Sequence, residues 1–259
     1  VLCLHSFPDH PIGLLALAER LADGGREAVV AGLPGWPPST PVSDGDYSIA
    51  AVAGDLVETM GALGHERFAV VGHGWGAELG YHLAAHRPER VEALVALAVP
   101  HPAGWRVRHT TFNEQRTAAY ALFLAYSPRA PQVASERRWL TAAFQHWCPG
   151  LHREDWEEVL DLIAHPHVLE IVARYYRINL ESDAPPVPIG VPTTTIHGGQ
   201  SPVVRPALFE GLAPWFTAGY RRHLIPHVGQ WPQLEAPELV TPLVLAGLRE
   251  PPRVVEEGA

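Results

Sequence analysis

Along the first hundred residues, short unbroken apolar runs alternate with stretches whose apolar positions recur at helical spacing. Val1 to His5 has the length and continuous hydrophobicity of a strand buried on both faces. Pro11–Ala22 repeats its apolar positions along one helix face. The alternation continues with a strand over Glu27–Ala31, the Gly/Pro-rich loop Gly32–Pro41, a helix over Tyr47–Leu63 ending near Gly64, and a strand over Phe68–Val71. A helix to about His86 and a strand over Val91–Val99 follow. Strands and helices alternating in this way predict right-handed βαβ units around a mostly parallel sheet flanked by helices.

The rhythm breaks at Pro100-His101-Pro102. From there to about Asp183 the chain keeps helical periodicity, carries many aromatics and has no convincing strand. The Pro-rich stretch Ala184–Pro192 leads back to a strand, Thr193–His197, and a last strand–helix pair covers Tyr220–Pro226 and about Pro232–Leu248. The pattern predicts an α/β core made of residues 1–100 and 187–259, interrupted by a helical insertion over 101–186. No internal repeat or low-complexity tract is visible.

Composition narrows the partners. Of 259 residues, 47% are apolar and 18% charged, which suits a compact globule with a sizeable core. A formal charge of −9 argues against nucleic acid or an anionic membrane surface as partner, and in favour of a small neutral or apolar ligand. All 19 basic residues are Arg. That resembles the codon bias of a high-GC bacterium, and without Lys no side chain can form the Schiff base of pyridoxal enzymes or lysine-dependent aldolases. Cys3 and Cys148 are too few for a disulfide framework and lack metal-ligand spacing; Cys3, in an apolar run, reads as a buried structural thiol. No signal-peptide pattern and no apolar stretch of transmembrane length appears, so the expected location is cytoplasmic. Because the chain opens at Val1 directly into a strand, a leading segment is expected to have been lost, processed or left out.

The stretch around Gly72-His73-Gly74-Trp75-Gly76 carries the sharpest signal. Strand, Gly-x-Gly-x-Gly, then helix is the arrangement of a nucleophile elbow, G-x-Nuc-x-G, whose outer glycines let strand and helix approach around a strained central residue. It is not a dinucleotide fingerprint, because its third glycine comes one residue early. Other segments agree in order: His5-Ser6-Phe7-Pro8-Asp9 is similar to an HGFP[DE] oxyanion loop, and Val99-Pro100-His101-Pro102 to the entry of a cap. Tyr175-Tyr176-Arg177-Ile178-Asn179 is similar to a W-Y-R-x-N cap motif. Ile196-His197-Gly198-Gly199 and Val228-Gly229-Gln230-Trp231-Pro232 match the loops after the last two strands. Over nearly its whole length the chain resembles the epoxide hydrolase and haloalkane dehalogenase branch of the α/β-hydrolase superfamily. The resemblance implies the α/β-hydrolase fold, with 101–186 as a helical cap.

Measured against that branch, the residues that would do the chemistry are replaced. Gly74 stands where the branch has Asp and related esterases have Ser. Ser201 stands at the acid position, and Gln230 follows Gly229 where the branch has its histidine base. Glycine has nothing to attack carbon with, and a glutamine takes up no proton near neutral pH. Pro100–Arg106 contains no carboxylate that could serve as a backup acid, and Ser6 replaces the oxyanion-loop glycine. Removing a triad leaves only binding and oxyanion stabilisation, about 10³–10⁴ over water in a serine protease.

The remaining candidates each have a plain reading beside the functional one. His73 is a packing group at the elbow or a new acid–base. Asp9 is a pocket carboxylate or a cap for the helix that follows. The resemblance aligns Tyr176 with a tyrosine that polarises the epoxide oxygen and puts Tyr120 near the second such position; both are equally well read as aromatic core. The backbone N–H groups of Trp75 and Phe7 are expected in the oxyanion hole. Ser6, Phe7, Gly74, Trp75, His101, Tyr120, Tyr176 and Gln230 are the expected ligand contacts, and His73, Asp9 and Tyr176 the expected catalytic groups. The pairs His82/His86, His165/His167 and His223/His227 lack a third ligand, so neither metal nor another cofactor is expected. The expectation is a protein that binds a hydrophobic small molecule between core and cap and promotes a non-hydrolytic step in bacterial biosynthesis: cyclisation, elimination or rearrangement. A non-catalytic ligand carrier or accessory subunit is the alternative, as is a hydrolase using displaced residues such as His227 or Ser6. A homodimer or a partner enzyme is left open.

Overall fold

The computed structural model describes residues 1–108, 119–249 and 255–256, with side chains given for all but 106–108 and 255–256. Strands β1 (Leu2–Leu4), β2 (Val29–Ala31), β3 (Phe68–His73), β4 (Val91–Leu97), β5 (Thr193–Gly198), β6 (Tyr220–Ile225) and β7 (Val255–Glu256) form one seven-stranded sheet. Its order is β2-β1-β3-β4-β5-β6-β7, and every pairing is parallel. The final short strand, paired to Arg221 and Arg222, was not anticipated from the apolar pattern.

Strand side chains alternate between two cores, as the pleat requires. Cys3, Val71, Val95 and Ile196 face one side, with Leu14, Leu17 and Leu21 around α1 (Leu15–Asp23) and Val240 and Val244 of a C-terminal helix. Leu2, Leu4, Val70, Leu94 and Ala96 face the other, packed by α2 (Ile49–Ala62) and α3 (Trp75–His86). Both faces of the strands are covered, which explains the continuous apolar runs. The Cys3 thiol lies in the first core, and burial pushes it up to about 12.

Two expected helices are divided, each for a local reason. Pro11–Leu14 is a 3-10 turn whose N-cap is His10, the imidazole Nδ1 accepting from the Ile12 N–H, before α1 begins. At the far end, Pro232–Glu235 and Pro237–Arg249 are separate helices. Pro237 disfavours helical backbone at Ala236, which sits at φ −147°, ψ 58°.

Between β4 and β5 the described residues form helices, apart from connecting loops and an isolated bridge of Ile189 to Phe216. The α-helices are α4 (Pro102–Arg108), α5 (Ala119–Tyr126), α6 (Ala130–Ala134), α7 (Arg137–Trp147), α8 (Glu157–Ile163) and α9 (Pro166–Leu180). No helix among the described residues is long and apolar enough to cross a membrane.

The chain order places the site. From β1 the chain goes outward to β2, then returns to add β3 on the opposite side of β1. Ligands in open α/β sheets bind in the crevice at the carboxyl ends of strands where the order reverses. Here that crevice lies between the residues after β1 and those after β3, namely Ser6 and Gly74.

Candidate functional site

A sharp turn joins β3 to α3 at Gly74, with φ 53° and ψ −115°. Gly72 and Gly76 let the turn close: a Cβ on Gly72 would meet the Gly76 carbonyl oxygen at 2.1 Å, and one on Gly76 would meet that of Leu4 at 2.2 Å. The elbow backbone is therefore intact. What differs is its centre. A Cβ built on Gly74 would meet Ser6 Oγ at 2.0 Å and Ser6 Cβ at 2.5 Å. Ser6 fills the space that a side chain at the elbow would enter.

Ser6 also takes the elbow's donor. Its Oγ accepts the Trp75 N–H at 3.0 Å, so the amide expected to face a ligand is already bonded within the protein. The serine is held from behind by His5, whose Nδ1–H donates to the Ser6 carbonyl at 3.0 Å while Nε2 accepts from the Leu33 N–H at 3.0 Å. Burial drives the His5 imidazole down to about 3, so it stays neutral in this role. The expectation that the Trp75 N–H points free into an oxyanion hole is corrected here. The Ser6 hydroxyl is the group that caps it.

The loops after β5 and β6 meet in a neutral pair. Ser201 Oγ donates to Gln230 Oε1 at 2.5 Å and accepts from the N–H groups of Val204 at 3.0 Å and Val203 at 3.3 Å. Gln230 Nε2 donates to the carbonyl of Ala98 at 3.3 Å. The Ala98 backbone sits at φ 63°, a strained position for a residue with a side chain. Gln230 also gives its N–H to the Trp147 carbonyl of α7 at 2.9 Å and receives the His73 Nε2–H on its own carbonyl at 2.9 Å. The Ser201 hydroxyl and the Gln230 side-chain oxygen and amide nitrogen are each hydrogen-bonded within the protein, and neither residue carries a charge.

His73 lines the cavity, stacked at an angle on Trp231 with ring centroids 4.9 Å apart. Its Nε2 proton is fixed by the Gln230 carbonyl, while the buried Nδ1 has no partner. Burial lowers it to about 4, so it is an uncharged imidazole with a free acceptor. His101 is also lowered to about 4, but its nitrogens are both used, Nε2 donating to the Val187 carbonyl and Nδ1 accepting from the Ala103 N–H. It stacks on Trp215 with centroids 5.2 Å apart. Asp9 lies outside the cavity lining. It is buried beneath Trp231, accepting the indole N–H at 3.2 Å and the His10 N–H at 2.7 Å, and desolvation lifts it to about 7. The helix cap at this point is His10, not Asp9.

The cavity of about 740 Å³ lies between the sheet's carboxyl ends and the helices of the β4–β5 segment. All the expected ligand contacts line it: Ser6, Phe7, Gly74, Trp75, His101, Tyr120, Tyr176 and Gln230. Tyr176 stands edge-on to Trp75 at 5.0 Å and to Tyr120 at 6.0 Å, and burial raises both phenols, leaving them as neutral donors. Its motif neighbours serve the fold. Tyr175 packs on Trp36 and Tyr47, and Arg177 Nε donates to the Ala125 carbonyl at 2.9 Å.

Among the described lining residues not singled out from the sequence, Glu78 is the one with a carboxyl. Glu78 stands one turn beyond Gly74 on α3 and accepts the Trp105 indole N–H at 2.8 Å. Desolvation lifts its carboxyl to about 7. The signal was available: four residues past the elbow centre places a side chain on the same helix face as the elbow. Among the described residues no three His, Cys, Asp or Glu side chains converge as metal ligands; His82 and His86 stack alone at 4.3 Å.

Comparison with known proteins gives a consistent result. The family model described as alpha/beta hydrolase fold matches residues 1–237. The chain is 24% identical to epoxide hydrolase 3 of Xenopus tropicalis over 96% of this chain and 71% of that one. It is 25% identical to epoxide hydrolase srdG of Neurospora crassa over 94% and 84%. An epoxide hydrolase from Bacillus megaterium, solved in complex with an inhibitor, superposes with a TM-score of 0.79 at 22% identity, covering 96% of this chain and 93% of that one.

Proposed function

The chain belongs to the alpha/beta-hydrolase fold family, and from that premise we propose that it binds a hydrophobic small molecule in the cavity above Gly74 and does not hydrolyse it. The observation that carries this reading is the placement of Ser6, whose side chain occupies the space over Gly74 and bonds the Trp75 amide. Nucleophilic hydrolysis needs an attacking group, a base to activate water, and free donors for developing charge. At the matching places this chain has a hydrogen atom, a neutral Ser201–Gln230 pair and a donor already taken. Five of the cavity's aromatic residues, Phe7, Trp75, Trp105, Tyr120 and Tyr176, favour an apolar or aromatic body in the ligand.

The groups left to hold or move a proton are the phenol of Tyr176, the imidazole of His73 and the carboxyl of Glu78. They suit proton transfers within a confined molecule, as in cyclisation, elimination or rearrangement, better than addition of water. A second reading, a ligand carrier or accessory subunit, is favoured by the same capped amide, because a free oxyanion hole is what a catalyst of carbonyl chemistry would keep.

The test is a hydrolysis panel of activated esters, terminal and styrene-type epoxides and primary haloalkanes on the purified protein. No turnover above a heat-treated control is the expected outcome. Turnover that a cavity substitution such as Tyr176→Phe abolishes would overturn the reading. Non-hydrolytic turnover, once a substrate is found, separates catalyst from carrier: Tyr176→Phe and Glu78→Gln should then lower kcat rather than affinity alone.

A further inference from the structure

The charge pattern of the cavity is lopsided. Its described lining contains no arginine and no aspartate, and the chain has no lysine at all. Glu78 is the one carboxyl among the described lining residues. Its Oε1 accepts the Trp105 indole N–H at 2.8 Å, and no cation pairs with it among the described residues. Of the lining histidines, burial lowers His73, His82 and His101 to about 4 and leaves them uncharged, so none of these three supplies a cation. Around the carboxyl stand Tyr81 on the same helix and Trp105 from α4, the latter turning its indole N–H edge to it.

A carboxyl placed against a water-poor aromatic wall with a single hydrogen bond is costly to ionise alone. A bound cation reverses that cost, since it pairs with the carboxylate and can donate to the oxygen lone pairs that Trp105 leaves open. We propose that the cavity recognises an organic amine with an apolar or aromatic body, its ammonium seated at Glu78 beside Trp105 and Tyr81. This deepens the preceding reading and rests on it: the apolar cavity holds the body of the ligand, and Glu78 selects its charged end. An anionic ligand of the same shape would bring two negative groups together and be excluded.

Three isosteric probes test it by isothermal titration at pH 8: 4-phenylbutylamine, 4-phenylbutan-1-ol and 4-phenylbutyric acid. Burial lifts the Glu78 carboxyl to about 7, and the groups that act on it among the described residues are Tyr81 and Trp105, so at this pH the carboxylate form dominates. The amine should bind about tenfold more tightly than the alcohol, and the acid more weakly than either. Glu78→Gln keeps an acceptor for Trp105, so it should lower amine affinity to the level of the alcohol while leaving the alcohol within about twofold. The ranking on the unsubstituted protein stands on its own should the variant fail to fold. Equal affinity for amine and alcohol, a preference for the acid, or an amine preference that survives Glu78→Gln would each overturn the amine inference while leaving the apolar cavity in place. Failure of all three probes to bind would overturn both.

Discussion

Ser6 and Gly74, which the sequence reads as two separate departures from the resemblance, share one space in the fold. Both were readable in the sequence as isolated replacements. That the first fills the space vacated at the second was not, because the two sit on different strands' loops and meet only through the β1–β3 pairing. The pair predicts non-additive mutations. Gly74→Ala adds a Cβ at 2.0 Å from Ser6 Oγ on a backbone with φ 53°. It should cost about 2–4 kcal/mol, from a left-handed conformation and an overpacked contact together. With Ser6→Gly in the same chain the contact disappears and only the backbone strain remains. A double-mutant cycle in urea should therefore show a coupling of about 1–2 kcal/mol; strict additivity would mean that the two side chains do not share this space. Glu78 makes the other residue-scale prediction. Its carboxyl is raised from 4.5 to about 7, so between those values the folded chain holds a proton that the unfolded chain has released. Stability contributed by this group is thus full at low pH and is lost as pH rises through that window. The full shift corresponds to about 3 kcal/mol, cut to about 1–2 because Glu78 opens on the cavity and is partly screened. Relative to its low-pH value, the stability of Glu78→Gln over the unsubstituted chain should grow by that amount between pH 5 and pH 8 in paired urea titrations. A gap independent of pH would place the Glu78 carboxyl at its ordinary value.

At the scale of elements, strands were legible because both faces of the sheet are covered and the apolar runs are unbroken; helices were legible by their repeat. The misreadings fall where backbone chemistry overrides periodicity. Pro237 split the last helix although apolar positions continue through it, and the 3-10 turn at Pro11–Leu14 was absorbed into α1 for the same reason. The motif Tyr175-Tyr176-Arg177-Ile178-Asn179 was recognised as a unit, yet its residues divide between jobs. Tyr176 faces the cavity, and Asn179 ties α9 to the start of α2. Its Oδ1 accepts the Ile49 N–H at 2.9 Å, and its Nδ2 donates to the carbonyls of Tyr47 at 3.0 Å and Tyr175 at 2.8 Å. Asn179→Ala leaves a helix N-terminal donor and a loop carbonyl without partners. A loss of about 2–3 kcal/mol is expected, with faster amide exchange at Ile49 and along the first turn of α2. Exchange unchanged there would show that another group satisfies the helix end.

For the whole molecule, the order of motifs along the chain was enough to give the fold, because each loop of the family arrangement follows a strand and the sheet's chain order brings those loops to one end. The lining of the site was legible, since every expected ligand contact borders the cavity. The bonds among its residues, Ser6 on the Trp75 amide and Ser201 on Gln230, join segments distant in sequence and could be found only in three dimensions. That arrangement yields a prediction about the molecule as a unit. The 2.5 Å contact between the side chains of Ser201 and Gln230 shows that an acid and a histidine at these places would lie within hydrogen-bond reach. The elbow backbone at Gly74 already has the sharp turn that a nucleophile requires. A chain carrying Gly74→Asp, Ser201→Asp, Gln230→His and Ser6→Gly together should therefore acquire measurable hydrolysis of a terminal epoxide. Triad members act as one unit, so the gain belongs to the set: each single replacement should stay at background, and Gly74→Asp without Ser6→Gly should also lose stability. The measurement is initial rate of diol formation from styrene oxide, with the three-residue set lacking Ser6→Gly as the critical control. Activity equal in the presence and absence of Ser6→Gly would mean that Ser6 does not close the site. Activity only when the serine is removed would identify it as the group that keeps this fold from hydrolysis even where the triad is supplied.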